Sequence, residues 1–155
     1  MAPLIRRLLT VAIIIVTGIL LGAGGYTFYY AQGFSYLSDD PGVCVNCHIM
    51  REQFDSWERS SHRARAACGE CHLPQDFFNK WRVKAENGLH HSIAFTFGNF
   101  REPIRIKEGN SRVLNENCLY CHEDFVREIA AHRNEEAAGI SCVRCHVKSG
   151  HALNR

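Results

Sequence analysis

The chain has 155 residues, 46% of them hydrophobic and 22% charged, with 18 basic residues against 16 acidic ones for a formal charge of +2. That length bounds a single domain, and the near balance of charge excludes the strongly basic surface with which proteins grip nucleic acid; no phosphate-binding glycine loop is present either. Eight cysteines in so short a chain require a specific use of sulfur.

Residues 1–7 carry Arg6 and Arg7, and no charged residue follows until Asp39. The 24 residues of 8–31, rich in leucine, isoleucine, valine and glycine, span about 36 Å as a helix, enough to cross a hydrocarbon core of ~30 Å. A cleaved signal peptide is the competing reading. Against it, the apolar run exceeds a usual h-region, and Tyr26, Phe28, Tyr29, Tyr30, Phe34 and Tyr36 make an aromatic belt of the kind a mature protein keeps at the membrane interface. The expectation is therefore an uncleaved anchor. The two arginines before it, with no basic residue after it until Arg51, place residues 1–7 in the cytoplasm and residues 32–155 outside the inner membrane, in the periplasm. Gly18 and Gly22 form a small-xxx-small pair that can join two anchors into a homo-oligomer.

Beyond the anchor, all eight cysteines fall in four Cys-x-x-Cys-His motifs: Cys44, Cys47 and His48; Cys68, Cys71 and His72; Cys118, Cys121 and His122; Cys142, Cys145 and His146. This is the attachment motif of c-type haem, in which two thiols form thioethers with the vinyl groups and the adjacent histidine ligates iron. Zinc sites do not need a histidine after every second cysteine, and disulfide scaffolds do not need strict two-residue spacing. Four covalently bound haem c groups are expected. The motifs pair at 44–72 and 118–146, with 24 residues between first cysteines in each pair, as in a duplicated two-haem unit. About 115 residues cannot bury an ordinary core around four such groups, so the haems must supply much of the apolar interior. The fold class is expected to be mainly α with much irregular structure, one N-terminal transmembrane helix preceding a compact tetrahaem c-type cytochrome domain.

Between the pairs, residues 75–100 carry Phe77, Trp81, Lys84, Gly88 and His91 at helical spacing, with Pro74 at the start and Gly98 or Pro103 at the end. Either this helix covers the haems, or residues 93–100 dip an apolar face into the membrane interface. Lys80, Arg82, Lys84, Arg101, Arg105 and Lys107 balance haem propionates and anionic lipid. A second, short helix is expected over 125–136, with little strand anywhere.

Each electron-shuttling iron needs a second axial ligand, and five histidines lie outside the motifs: His62, His90, His91, His132 and His151. His132, ten residues past His122, can arch over the third haem. His151 and His62 lie too close to their neighbouring motifs to ligate those haems, so His151 is expected to cross to the second haem and His62 to the fourth. Met50 lies two residues past His48, where it either competes with that histidine for one face of the first haem or packs there.

In order and spacing the chain resembles the NapC/NirT/NrfH family of membrane-anchored multihaem quinol dehydrogenases. The likeness rests on the anchor, Cys44-x-x-Cys47-His48-x-Met50, Ser61-His62 ahead of Cys68-x-x-Cys71-His72-x-Pro74, Lys84-x-x-x-Gly88-x-x-His91, Val113-x-x-x-Asn117-Cys118, and Cys142-x-x-Cys145-His146 followed by His151. The short length and tail look most like the NrfH branch. The resemblance implies oxidation of menaquinol from the membrane quinol pool and electron delivery to a periplasmic multihaem reductase, the pentahaem cytochrome c nitrite reductase. It also implies Met50 rather than His48 as the iron ligand of the first haem, and Lys84 as a quinol contact. That branch carries an acid where this chain has His91, which makes His91 a candidate both for proton acceptance and for the free side of the first iron. Lys84, His91 and Glu86 are expected to share the quinol-facing side of their helix. Two other readings stay open: a NapC- or NirT-like hub serving other periplasmic reductases, and a plain electron carrier or haem-based sensor without a quinol site.

Overall fold

The computed structural model describes residues 2–129 and 141–151, in two compact units that meet in the sequence between Ser38 and Asp39. The first unit is helix α1, Ala2–Tyr30, followed by a 3-10 turn over Gly33–Leu37. Pro3–Tyr30 has a mean hydropathy of 2.3, and none of its most apolar stretch is buried by protein. The helix starts some six residues before the charge-free run because Arg6 and Arg7 continue it without a breaker. At its C-terminal end Gln32 takes a left-handed conformation with φ of 54°. Phe28 and Phe34 then meet edge to face with centroids 5.0 Å apart. A Cβ at position 33 would lie 2.4 Å from the Phe28 ring, so a larger residue there must displace that ring from Phe34. Tyr26 and Tyr30 stack with centroids 6.0 Å apart.

The second unit is helical and irregular, with no strand among its described residues. Two 3-10 turns, Pro41–Asn46 and His48–Met50, lead into α2, Arg51–Glu58. Then come α3, Cys68–His72; α4, Phe77–Phe97; α5, Glu108–Glu128; and α6, Cys142–Cys145. Helix α4 begins where the Asp76 carboxylate caps the Asn79 amide at 2.9 Å and ends at Gly98, whose φ of 63° reverses the chain. A Cβ on Gly98 would meet nothing within 4 Å, so Gly98→Ala exposes the conformational term alone. It is expected to cost about 1 kcal/mol, read as a small fall in melting temperature with unchanged haem spectra.

Helix α5 differs from expectation. The third motif lies in the middle of a 21-residue helix that starts at Glu108, well before residue 125. Its inward face is built from Ser111, Val113, Leu114, Asn115 and Asn117, a mostly polar set that gives little apolar period. The helix ends at Glu128, and most of the expected 125–136 segment, with His132, lies outside the described residues. Helix α3 packs on α5 through Asn117, which is 7% exposed. Its amide donates to the carbonyls of Cys71 at 2.9 Å and Leu73 at 2.8 Å, and its Oδ1 accepts from Gln75 at 3.2 Å.

Candidate haem and quinol site

Within a helical turn, residues three apart lie on one side, so Cys-x-x-Cys projects both thiols the same way with the next histidine beside them. Helices α3 and α6 are little more than the second and fourth motifs, the third lies inside α5, and the first spans the junction of the two 3-10 turns. Folding brings these turns together. The Cys44 and Cys68 thiols lie close enough to perturb each other's ionisation, as do those of Cys118 and Cys142. The Cys71 thiol feels the charge of Cys121 across the α3–α5 contact. Asn115 Oδ1 accepts from the Cys142 amide at 3.1 Å, fastening the fourth motif to the helix of the third.

The histidines divide. His72 and His151 stand with ring centroids 6.0 Å apart and planes within 16°. Burial, and then the neighbouring ring of His151, push His72 down to about 4, and burial lowers His151 as well. Both are therefore neutral at neutral pH, the form with a lone pair for a metal. Two imidazoles on one metal, with metal–nitrogen bonds of about 2 Å, have centroids roughly 6 Å apart. His62 Nδ1 donates to the Ser149 carbonyl at 2.6 Å, which fixes the tautomer and leaves Nε2 as the acceptor nitrogen. Ser149 in turn donates from its hydroxyl to the His146 carbonyl at 2.9 Å. His62, Cys145, His146 and Ser149 line one cleft of about 420 Å³, and the His62 ring also meets that of His122 edge to face at 6.0 Å. Met50 is half-buried at the end of its turn, whereas His48 is exposed.

On α4, Lys84 is buried, with 6% exposure, and its ammonium lies 3.1 Å from Asp39 Oδ1 and 5.0 Å from the centre of the Trp81 ring. His91, seven residues on, falls on the same side of the helix. Although exposed at the surface, it is held below the ordinary histidine range by partial desolvation of its ring, then by the positive Lys107 and the neighbouring His90. Glu86 does not join them. Two residues from Lys84 is about 200° around a helix, and Glu86 instead pairs with Arg82 at 3.7 Å on the exposed side. Asp39 and Asn115 make contacts that the sequence does not single out, whereas Asn117 enters the sequence pattern through its place directly before Cys118.

These residues fit covalent haem. All eight cysteines are free thiols, arranged in pairs with adjacent histidines. Val83 is the one apolar side chain buried among the described residues, while Phe77, Phe78, Phe95, Tyr120 and Phe125 are exposed. Such a polypeptide takes its interior from large apolar groups bound to it.

Anchor, thiol turns and neutral histidine pair define a membrane-anchored cytochrome of the c type, its haem covalently held. The chain belongs to the NapC/NirT cytochrome c family, whose N-terminal-region profile matches residues 5–155. It is 36% identical over 158 residues to the cytochrome c-type protein NrfH of Wolinella succinogenes, covering 96% of this chain and 89% of that protein. Among solved structures it resembles a chain of the cytochrome c nitrite reductase NrfHA complex bound to the HQNO inhibitor, with a TM-score of 0.65, 25% identity and 92% of each chain covered. In keeping with that family, α1 is a single-pass membrane anchor.

Proposed function

We propose that the protein is a tetrahaem quinol dehydrogenase that oxidises menaquinol outside the inner membrane and delivers the electrons to a periplasmic pentahaem nitrite reductase. The observation that carries this reading is the likeness to NrfH over 96% of the chain. Menaquinol gives up two electrons and two protons on becoming menaquinone. When bound, the four haems supply one-electron acceptors that relay charge to the reductase.

The chain's own residues do the rest. Lys84 offers an ammonium donor to a quinol oxygen, and His91, held neutral, offers a lone pair to a quinol proton. Glu86, engaged with Arg82 on the other side, takes no part. Met50 holds the first iron, a reading supported by its partial burial beside the exposed His48. His72 with His151 holds the second, supported by their opposed rings. His122 serves the third together with His132, which lies outside the described residues. His146 with His62 serves the fourth, supported by their shared cleft and the Ser149 bridge. Arg6 and Arg7 keep the N-terminus cytoplasmic and residues 32–155 periplasmic. Gly18 and Gly22, with no heavy atom near their Cβ positions, give a second copy a face to pack on.

Reduced 2,3-dimethyl-1,4-naphthoquinone, added to the detergent-solubilised protein, is expected to reduce the haems. Haems that stay oxidised with this donor yet reduce with dithionite would remove the quinol reading. The NapC/NirT family match also accommodates a hub serving other reductases. A multihaem reductase copurifying in fixed ratio after gentle solubilisation is the expected result, and its absence favours the hub.

A further inference from the structure

Asp39, the first residue of the second unit, receives two ammonium groups from successive turns of α4. Lys80 Nζ lies 2.8 Å from its Oδ2 and Lys84 Nζ 3.1 Å from its Oδ1. The three side chains are unequally placed: that of Asp39 is 59% exposed and that of Lys80 29%, but that of Lys84 only 8%. Lysine seldom stays buried, because its flexible stem readily carries the ammonium out to water. Here an outward-lying carboxylate reaches the buried ammonium and holds it in place. The ammonium so held lies near enough to the first motif for its charge to reach Cys44.

We propose that Asp39 is a positioning residue of the quinol site, holding the Lys84 side chain in place beside the first haem-attachment motif with its amine charged. The proposal rests on the reading of Lys84 as a quinol contact. A lysine held in this way is a donor and not a base. It stabilises negative charge on a quinol oxygen as the proton leaves, and both protons of the quinol pass to other acceptors while Lys84 keeps its own.

Three titratable groups surround this ammonium or the first motif beside it. They are Asp39 on the segment before that motif, Lys80 on the same helix, and Asp40 near Cys44, whose sulfur is taken up in a thioether in the haem-loaded protein. The two lysines, Lys80 first and then Lys84, hold the Asp39 carboxyl below its ordinary range, so it is ionised throughout the neutral region. Burial works against a charged lysine, so the buried ammonium depends on the Asp39 carboxylate, and its charge is least secure at the alkaline end once that carboxylate is gone.

The test uses the full-length haem-loaded protein in detergent, with dimethylnaphthoquinol as electron donor from about pH 6 to 9 and HQNO as binding probe. Asp39→Asn is expected to oxidise quinol nearly as wild type at the acid end and about tenfold more slowly at the alkaline end. Its HQNO affinity should fall about fivefold over the same range relative to wild type, with dithionite-reduced spectra intact. Asp39→Glu restores the wild-type profile, and Lys84→Gln is slow at every pH with no alkaline limb. Lys80→Gln, which leaves the Asp39–Lys84 bond in place, keeps the wild-type profile and provides a second, conservatively folded variant.

An Asp39→Asn protein with wild-type profile and HQNO affinity, beside a slow Lys84→Gln, overturns the role of Asp39 and leaves the quinol reading standing. Uniform slowing at all pH without rescue by glutamate reduces Asp39 to a structural part and also overturns it. The same alkaline limb in Lys80→Gln assigns the effect to general surface charge and overturns the role of Asp39 as well. Wild-type oxidation by Lys84→Gln removes Lys84 from the quinol site altogether.

Discussion

Replacing Asn117 with leucine is expected to lower the stability of the haem domain by about 3 kcal/mol and its melting temperature by roughly 10 °C. The two side chains branch alike at Cγ, so the main loss is of hydrogen bonds, with the larger leucine adding some crowding. The Asn117 amide donates to two carbonyls at the C-terminal end of α3, those of Cys71 and Leu73, where a helix has no internal donors left to offer. Its oxygen also accepts from Gln75, which is exposed and keeps a bond to the Glu70 carbonyl, so a leucine would strand the two carbonyls beside a side chain only 7% exposed. Each stranded buried group costs about 1–3 kcal/mol, partly recovered where water can reach it. The damage should centre on the second motif, because α3 is a single turn with nothing else so firmly attached to it. Haem stain per mole of protein and circular dichroism melting check both parts. Asn117→Asp discriminates the mechanism: it keeps the acceptor for Gln75 but sets a carboxylate against two carbonyls, and should do no better than leucine. An aspartate variant of wild-type stability would show that the two donated bonds matter little.

What can be read from sequence follows from how locally each feature is determined. The four haem turns are legible because thioether chemistry imposes a spacing that survives any tertiary arrangement. The ends of α4 are nearly legible for the same reason: Gly98 reverses the chain through its own backbone freedom, and Asp76 caps through atoms three residues away. Helix α5 is not, because its inward face is made of Asn115 and Asn117, whose value lies in partners 27 and 46 residues away. Asp39 is invisible for a like reason, since its lysines are 41 and 45 residues distant. Glu86 shows the opposite failure: nearness in sequence to Lys84 suggests a shared face, yet two residues carry a helix more than half a turn round.

His151→Ala should leave three haems spectroscopically unchanged and convert one from a six-coordinate low-spin to a five-coordinate high-spin species, seen in electron paramagnetic resonance and in a charge-transfer band of the oxidised protein. The expectation follows from the facing of His72 and His151 at 6.0 Å, a separation suited to one metal between them. It gains force from their charge state. Burial lowers the pKa of both rings, so neither must lose a proton to bind, whereas an exposed histidine would compete with protons at mildly acid pH. The loss of one strong-field nitrogen should also raise the potential of that haem, visible as one quarter of the redox titration moving apart from the rest. His62→Ala should produce the same kind of change on a different haem, because His62 bonds Ser149 and lines the cleft of Cys145 and His146. The double variant therefore decides the pairing. Two independent high-spin signals of equal size support separate irons for His62 and His151, whereas one signal shared by both single variants would place the two histidines on a single haem.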